Sequence, residues 1–227
     1  MNAIILAAGM GTRLRPLTDE IPKCLVKVNG EPIVERQIQF LLESGITDIT
    51  LVSGYHAEKL EPLRKNYGVD IVFNEHYDCC NNIYSMYKVL DRFGGSWVLE
   101  GDVFVNRNCF TSDIAESTYF AKWHEHYENE WGLVADDADI LSEIRIGSGK
   151  GCVMSGISYW SERDAKQIGS EIRRMMKEDK YEEFFWDNAE LNLHRQMEIR
   201  VKRFDDIYEI DTEKELRQVE VEITKGK

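Results

Sequence analysis

Residues 6–30 read LAAGMGTRLRPLTDEIPKCLVKVNG, and this run decides the fold. Ile4, Ile5 and Leu6 before it form a short buried strand. Ala7 to Thr12 is a small-residue, glycine-rich loop. Gly9 and Gly11 carry no side chain, so the backbone N–H groups of such a loop can close around phosphates. Arg13 and Lys23 add fixed positive charge, and an arginine can grip a phosphate with two parallel bonds. Pro16 and Pro22 stiffen the segment between them. No Gly-Lys-Ser/Thr follows, so this is no Walker loop, and the glycine spacing is not the dinucleotide GxGxxG.

Outward from the loop, strand and helix signals alternate. Residues 31–43 place Ile33, Ile38, Leu41 and Leu42 on one helical face, and Gly45 ends that helix. Residues 48–53 (DITLVS) read as a strand, 57–67 as a helix stopped by Gly68, and 70–73 as a strand. Residues 82–93 read as a helix capped by Asn81 or Asn82, and 96–99 (SWVL) as a strand with Gly101 and Asp102 at its carboxyl end. Short connections between such elements predict an α/β sheet, mostly parallel and flanked by helices. Ligands bind such sheets beyond the carboxyl strand ends, where the glycine loop and Asp102 both fall.

The second half is richer in aromatic residues. Residues 118–124, 131–135 and 198–204 read as strands, and 162–177, 183–196 and 213–223 as helices. No repeat or linker interrupts the chain. One domain over 1–227 is expected, with residues of about 115–195 decorating the sheet as an acceptor-binding insertion.

Composition sets limits. Hydrophobic content of 43% and charged content of 30% are those of a globular chain. A formal net charge of -13 excludes a basic nucleic-acid face and disfavours an anionic membrane surface. No stretch has the length of a bilayer span or of a signal-peptide core, so no membrane insertion and a cytoplasmic location are expected. Cys24, Cys79, Cys80, Cys109 and Cys152 form no CxxC pair and have no histidine at ligand spacing. They are expected as free thiols, without a zinc site.

The front run resembles the signature of sugar-phosphate and related nucleotidyltransferases, LAAGxGxRLxPLT followed by PKxLxxVxGxPI. Gly9, Gly11, Arg13, Pro16, Pro22, Lys23, Gly30, Pro32 and Ile33 are among the matching positions. The resemblance implies a Rossmann-like nucleotidyltransferase fold. It implies that Arg13 clamps the β- and γ-phosphates, that Lys23 lies near the α-phosphate, and that Leu6, Ala7, Ala8 and Gly9 lie beside the base. Asn82, Ser85 and Gly101 complete the expected nucleotide contacts. The reaction would be attack of an acceptor phosphate oxygen on the α-phosphorus of an NTP, with pyrophosphate leaving. Its nucleophile is already ionised, so the need is to align and neutralise anions, which Mg²⁺ on a carboxylate pair can do. Asp102 in SWVLEGD and Asp211 in YEIDT are the expected metal ligands and, with Lys23 and Arg13, the catalytic set.

Further along, NNIYSMY (81–87), STYF (117–120), NEW (129–131), SGISYW (155–160), FWDN (185–188) and YEID (208–211) are similar to bacterial CTP:phosphocholine cytidylyltransferases. That resemblance implies transfer of CMP from CTP to phosphocholine, giving CDP-choline. Independently, a trimethylammonium group has no N–H to donate and is held by aromatic faces and carboxylates. Tyr84, Tyr119, Trp131, Tyr159, Trp160 and Trp186, with Asp187 nearby, are the expected cage. The acidic segment 124–131 keeps 2-aminoethylphosphonate and phosphoethanolamine open as acceptors. A sugar 1-phosphate is the more distant alternative.

Overall fold

The computed structural model describes residues 1–225. Strand β1 (Asn2–Ala7) runs into the glycine loop, which continues to a small antiparallel pair, β2 (Lys27–Val28) and β3 (Glu31–Pro32). Helix α1 (Ile33–Glu43), β4 (Ile49–Ser53), α2 (Glu61–Tyr67), β5 (Asp70–Phe73), α3 (Asn82–Tyr87), β6 (Ser96–Glu100) and β7 (Val103–Val105) follow. The second half contains β8 (Thr118–Ala135), β9 (Leu141–Trp160), α4 (Glu162–Met175), α5 (Asp187–Leu193), β10 (Arg200–Arg203), β11 (Ile207–Glu209) and α6 (Glu213–Lys225).

Seven strands form the main sheet in the order β10-β8-β9-β6-β1-β4-β5. The β6-β1-β4-β5 half is parallel throughout, as the short strand-helix alternation predicts. Strand β9 runs antiparallel to both β6 and β8, and β10 is parallel to β8. Strand alternation divides the core in two. Ala3, Ile5, Trp97 and Leu99 face α1 on one side of the sheet. Ile4, Leu6 and Val98 face α3, α4 and α5 on the other.

The second half departs from the expected decoration. Strands β8 and β9 enter the sheet itself, and the two segments read as separate strands are one 18-residue strand. The 20-residue β9 has no counterpart in the sequence reading. Only the long-range pairing with β6 and β8 makes its glycine- and serine-rich stretch extended. Gly132 of β8 and Gly149 of β9 have a packing reason: a Cβ on either would meet the Tyr127 hydroxyl, at 2.2 and 2.7 Å respectively. Two expected helices also prove shorter: α3 ends at Tyr87 and α5 covers only Asp187–Leu193.

A third cluster fixes the front loop. Leu14, Val26, Val28 and Ile33 pack with Phe104, Tyr208 and Ile210 beneath Leu216, Val219 and Ile223 of α6. Strand β11 pairs antiparallel with β7, with Glu209 opposite Val103. This pairing carries the C-terminal acidic segment back to the end of β6, and the Ile210 N–H donates to the Asp102 carbonyl at 3.3 Å.

Candidate active site

A cavity of about 910 Å³ opens at the carboxyl ends of β1 and β6. One wall is the backbone of Leu6, Ala7, Ala8 and Gly9, continuing through Gly11. Gly11 must be glycine. Its φ is +58°, and a Cβ there would lie 2.9 Å from the Cβ of Lys23. The close approach holds the lysine against the loop, and the Thr18 hydroxyl donates to the Gly11 carbonyl at 2.8 Å.

Lys23 sits between two carboxylates. Its Nζ is 2.5 Å from Asp102 Oδ2 and 2.5 Å from Asp211 Oδ1. Burial works against its charge, but Asp102 and Asp211 outweigh burial and hold its pKa above the ordinary lysine value. Arg13 reaches in from the exposed loop, with Nη2 2.8 Å from Asp211 Oδ1. Asp211 is set by the turn into α6. Glu215 Oε2 accepts from the N–H groups of Asp211 (2.9 Å) and Thr212 (2.8 Å), while the Thr212 hydroxyl accepts from the Glu215 N–H (3.2 Å). This is a capping box.

Sequence reading missed two carboxylates here. Asp102, Glu209 and Asp211 can each offer an oxygen within 4.8 Å of the others, which suits a divalent cation. The Glu209 carboxyl is pushed up to about 8, first by burial and then by Asp102 and Asp211. A cation bound by these oxygens would favour the ionised form of Glu209. Glu100 accepts at Oε1 from Asn82 Nδ2 (3.0 Å) and Trp186 Nε1 (3.2 Å). Burial, then Asp187 and Asp102, raise its pKa well above the carboxylate range. A signal existed for both residues: Glu100 and Asp102, like Glu209 and Asp211, are spaced by two. That spacing puts both side chains of an extended segment on one side.

The opposite wall holds Asn82 and Ser85 of α3, then Tyr119, Trp131, Trp186 and Asp187. The Asp187 carboxyl is pushed up to about 7 by burial. Three of the expected cage residues lie elsewhere. Tyr159 points to the other face of the sheet, where its ring meets Trp97 at 5.7 Å. Trp160 is fully buried behind the cavity, stacked edge-on against Tyr119 and Trp186 with its Nε1 donating to Ser158. Tyr84 turns outward, donating its hydroxyl to Glu75 at 2.9 Å. Neighbouring strand residues cannot share a face, so Tyr159 and Trp160 could not both have lined one pocket. The five cysteines are free thiols, as expected, and two of them lie beside a histidine. His76 Nδ1 lies 3.6 Å from Cys79 Sγ, which lies 3.8 Å from Cys80 Sγ.

Behind the wall, Tyr119 donates its hydroxyl to Glu190 Oε2 at 2.8 Å, and Glu190 Oε1 is buried without a partner among the described residues. Burial pushes the Glu190 carboxyl up to about 8, against the Tyr119 bond and with help from Asp187. The folded chain therefore retains a proton that the unfolded chain loses as pH rises from about 4.5 to about 8, and stability falls across that window. Glu190→Gln keeps the shape without the ionisation. Its melting temperature relative to the parent should rise by several degrees from the acid to the alkaline end of the window. Thermal denaturation at stepped pH checks this, and a constant difference would place the Glu190 proton elsewhere.

A glycine loop carrying Arg13 thus faces Lys23, which is held between carboxylates from two strand ends. The chain belongs to the nucleotidyl transferase family, whose model matches residues 2–136. It is 40% identical to the choline-phosphate cytidylyltransferase of Streptococcus pneumoniae over 222 residues, 97% of each chain. A solved structure of the CTP:phosphocholine cytidylyltransferase from Streptococcus pneumoniae superposes with a TM-score of 0.95, at 39% identity over 98% of each chain. The 2-aminoethylphosphonate cytidylyltransferase of Lancefieldella rimae is 33% identical over 95% of this chain and 90% of its own. No helix among the described residues is long and apolar enough to cross a membrane.

Proposed function

We propose that the protein transfers CMP from CTP to phosphocholine, releasing CDP-choline and pyrophosphate, with Mg²⁺ as the metal. The observation that carries this reading is 40% identity, along 97% of the chain, to a choline-phosphate cytidylyltransferase. The second wall supports it, because Trp131, Tyr119 and Trp186 stand there beside Asp187 and Glu100. Ring faces and carboxylates suit a cation that donates no hydrogen bond. We place the reaction in the cytoplasm, in keeping with the free thiols.

In the reaction, an acceptor phosphate oxygen bonds to the α-phosphorus of CTP as the bond to the bridging oxygen breaks. Pyrophosphate leaves with that electron pair. The N–H groups of the Gly9 to Gly11 loop and Arg13 hold the β- and γ-phosphates. Lys23 meets the charge that builds at the α-phosphate. Asp102 and Asp211, joined by Glu209, would hold Mg²⁺, whose contribution is to neutralise and align the two phosphate groups. Asn82 and Ser85 flank the nucleotide from α3.

The second reading, transfer to 2-aminoethylphosphonate, draws on the Lancefieldella rimae relative and on the number of carboxylates in the wall. A primary ammonium is more strongly hydrated and must recover its lost water through hydrogen bonds. Rings give few of these and attract a quaternary ammonium by about 0.5–2 kcal/mol each. Pyrophosphate release with phosphocholine, phosphoethanolamine and 2-aminoethylphosphonate in competition decides between them. Phosphocholine should win in kcat/KM by tens of fold, and Trp131→Ala should shrink that margin while leaving the KM for CTP nearly unchanged. Preference for an aminoalkyl acceptor would make the wall carboxylates the ammonium partners instead.

A further inference from the structure

The turn between β5 and α3 winds around one carbonyl. The His76 N–H donates to Asn74 Oδ1 at 2.8 Å. The N–H groups of Cys79 (3.2 Å) and Cys80 (2.9 Å) both donate to the His76 carbonyl oxygen. This winding gathers the imidazole and both thiols on one side. His76 Nδ1 and the two sulfurs all lie within 4.8 Å of one another. The imidazole is braced edge-on by Tyr84, with ring centroids 4.5 Å apart at 79°.

The separations are those that a tetrahedral thiolate-imidazole centre needs. Bonds of about 2.3 Å to sulfur and about 2.0–2.1 Å to nitrogen place two sulfurs about 3.8 Å apart, and sulfur and nitrogen about 3.6 Å apart. Cys79 Sγ is 3.8 Å from Cys80 Sγ and 3.6 Å from His76 Nδ1. The remaining pair, His76 Nδ1 with Cys80 Sγ, lies within 4.8 Å. Asp78 and Glu182 add negative charge beside the thiols. The ligand set is soft, unlike the all-oxygen set of Asp102, Glu209 and Asp211, so the two clusters select different cations.

We propose that His76, Cys79 and Cys80 form a second metal site, specific for a thiophilic divalent cation of the zinc class. Three protein ligands leave one coordination position. Cys79 and Cys80 also line the same cavity as Lys23, directly ahead of Asn82. An ion there would pin the turn that leads into α3.

Cobalt(II) titration of the full chain, kept reduced with a phosphine, tests the proposal. A thiolate-to-cobalt charge-transfer band should grow, saturate at one equivalent and bleach on addition of Zn²⁺. It should vanish in Cys79→Ser and in Cys80→Ser, weaken in His76→Ala, and persist in Asp102→Asn. No band in the parent, or a band that survives both cysteine replacements, overturns the site. Alkylation of the unaltered chain tests the site without any substitution. Zn²⁺ should slow modification of Cys79 and Cys80 by an order of magnitude and leave Cys109 unchanged, whereas equal rates with and without Zn²⁺ refute the proposal.

Discussion

Lys23→Ala is expected to lower kcat by roughly 10²–10³-fold, with a much smaller change in the KM for CTP. Lys23 is mostly buried and locked at 2.5 Å from both Asp102 and Asp211. Its ammonium is therefore in place before any ligand arrives, and no ordering cost falls on the reaction step. Positive charge held in that way acts most strongly where negative charge builds, at the α-phosphate during transfer. Arg13, with 70% of its side chain exposed, is the contrasting case. Its removal should chiefly weaken CTP binding, because an exposed guanidinium on a loop contributes attraction more than position. Steady-state kinetics with pyrophosphate detection separate the two. If Lys23→Ala raises only KM, the lysine binds substrate and does not serve the transition state.

Asp102→Asn and Asp211→Asn should each reduce turnover by on the order of 10³-fold or more, equivalent to several kcal/mol of lost charge stabilisation. The amide keeps the volume of the carboxylate, so the fold should survive, and Lys23 retains one charged partner in either variant. The two replacements should also weaken Mn²⁺ binding measured by electron paramagnetic resonance, which a purely structural role would leave alone. Near-full activity in either variant, or activity of the parent chain in excess EDTA, would remove the carboxylate centre from the mechanism. Glu209 sharpens the test. It belongs to the same oxygen cluster, so Glu209→Gln should weaken Mn²⁺ binding as well.

Local signals determined much of this protein. The strand-loop-helix order of the first hundred residues follows from short apolar runs, glycine stops and helical periodicity, and four parallel strands stand where those signals put them. The glycine loop proposed to hold the phosphates is legible for the same reason: Gly9, Gly11, Arg13 and Lys23 lie within one stretch, and they line one cavity. Asp102 and Asp211 were legible as candidates through the resemblance. Their meeting, however, depends on β11 pairing antiparallel with β7 across about a hundred residues. What only the tertiary structure decided has one physical origin, long-range pairing. Strand β9 has weak propensity and becomes extended because β6 and β8 supply its hydrogen-bond partners. Burial of Trp160 and Tyr159 follows from which sheet face each residue meets, and Glu100 and Glu209 join the site through strand ends brought side by side. The His76, Cys79 and Cys80 cluster escaped a reading by motif because a turn wrapped around one carbonyl, rather than a regular ligand spacing, brings its three donors together.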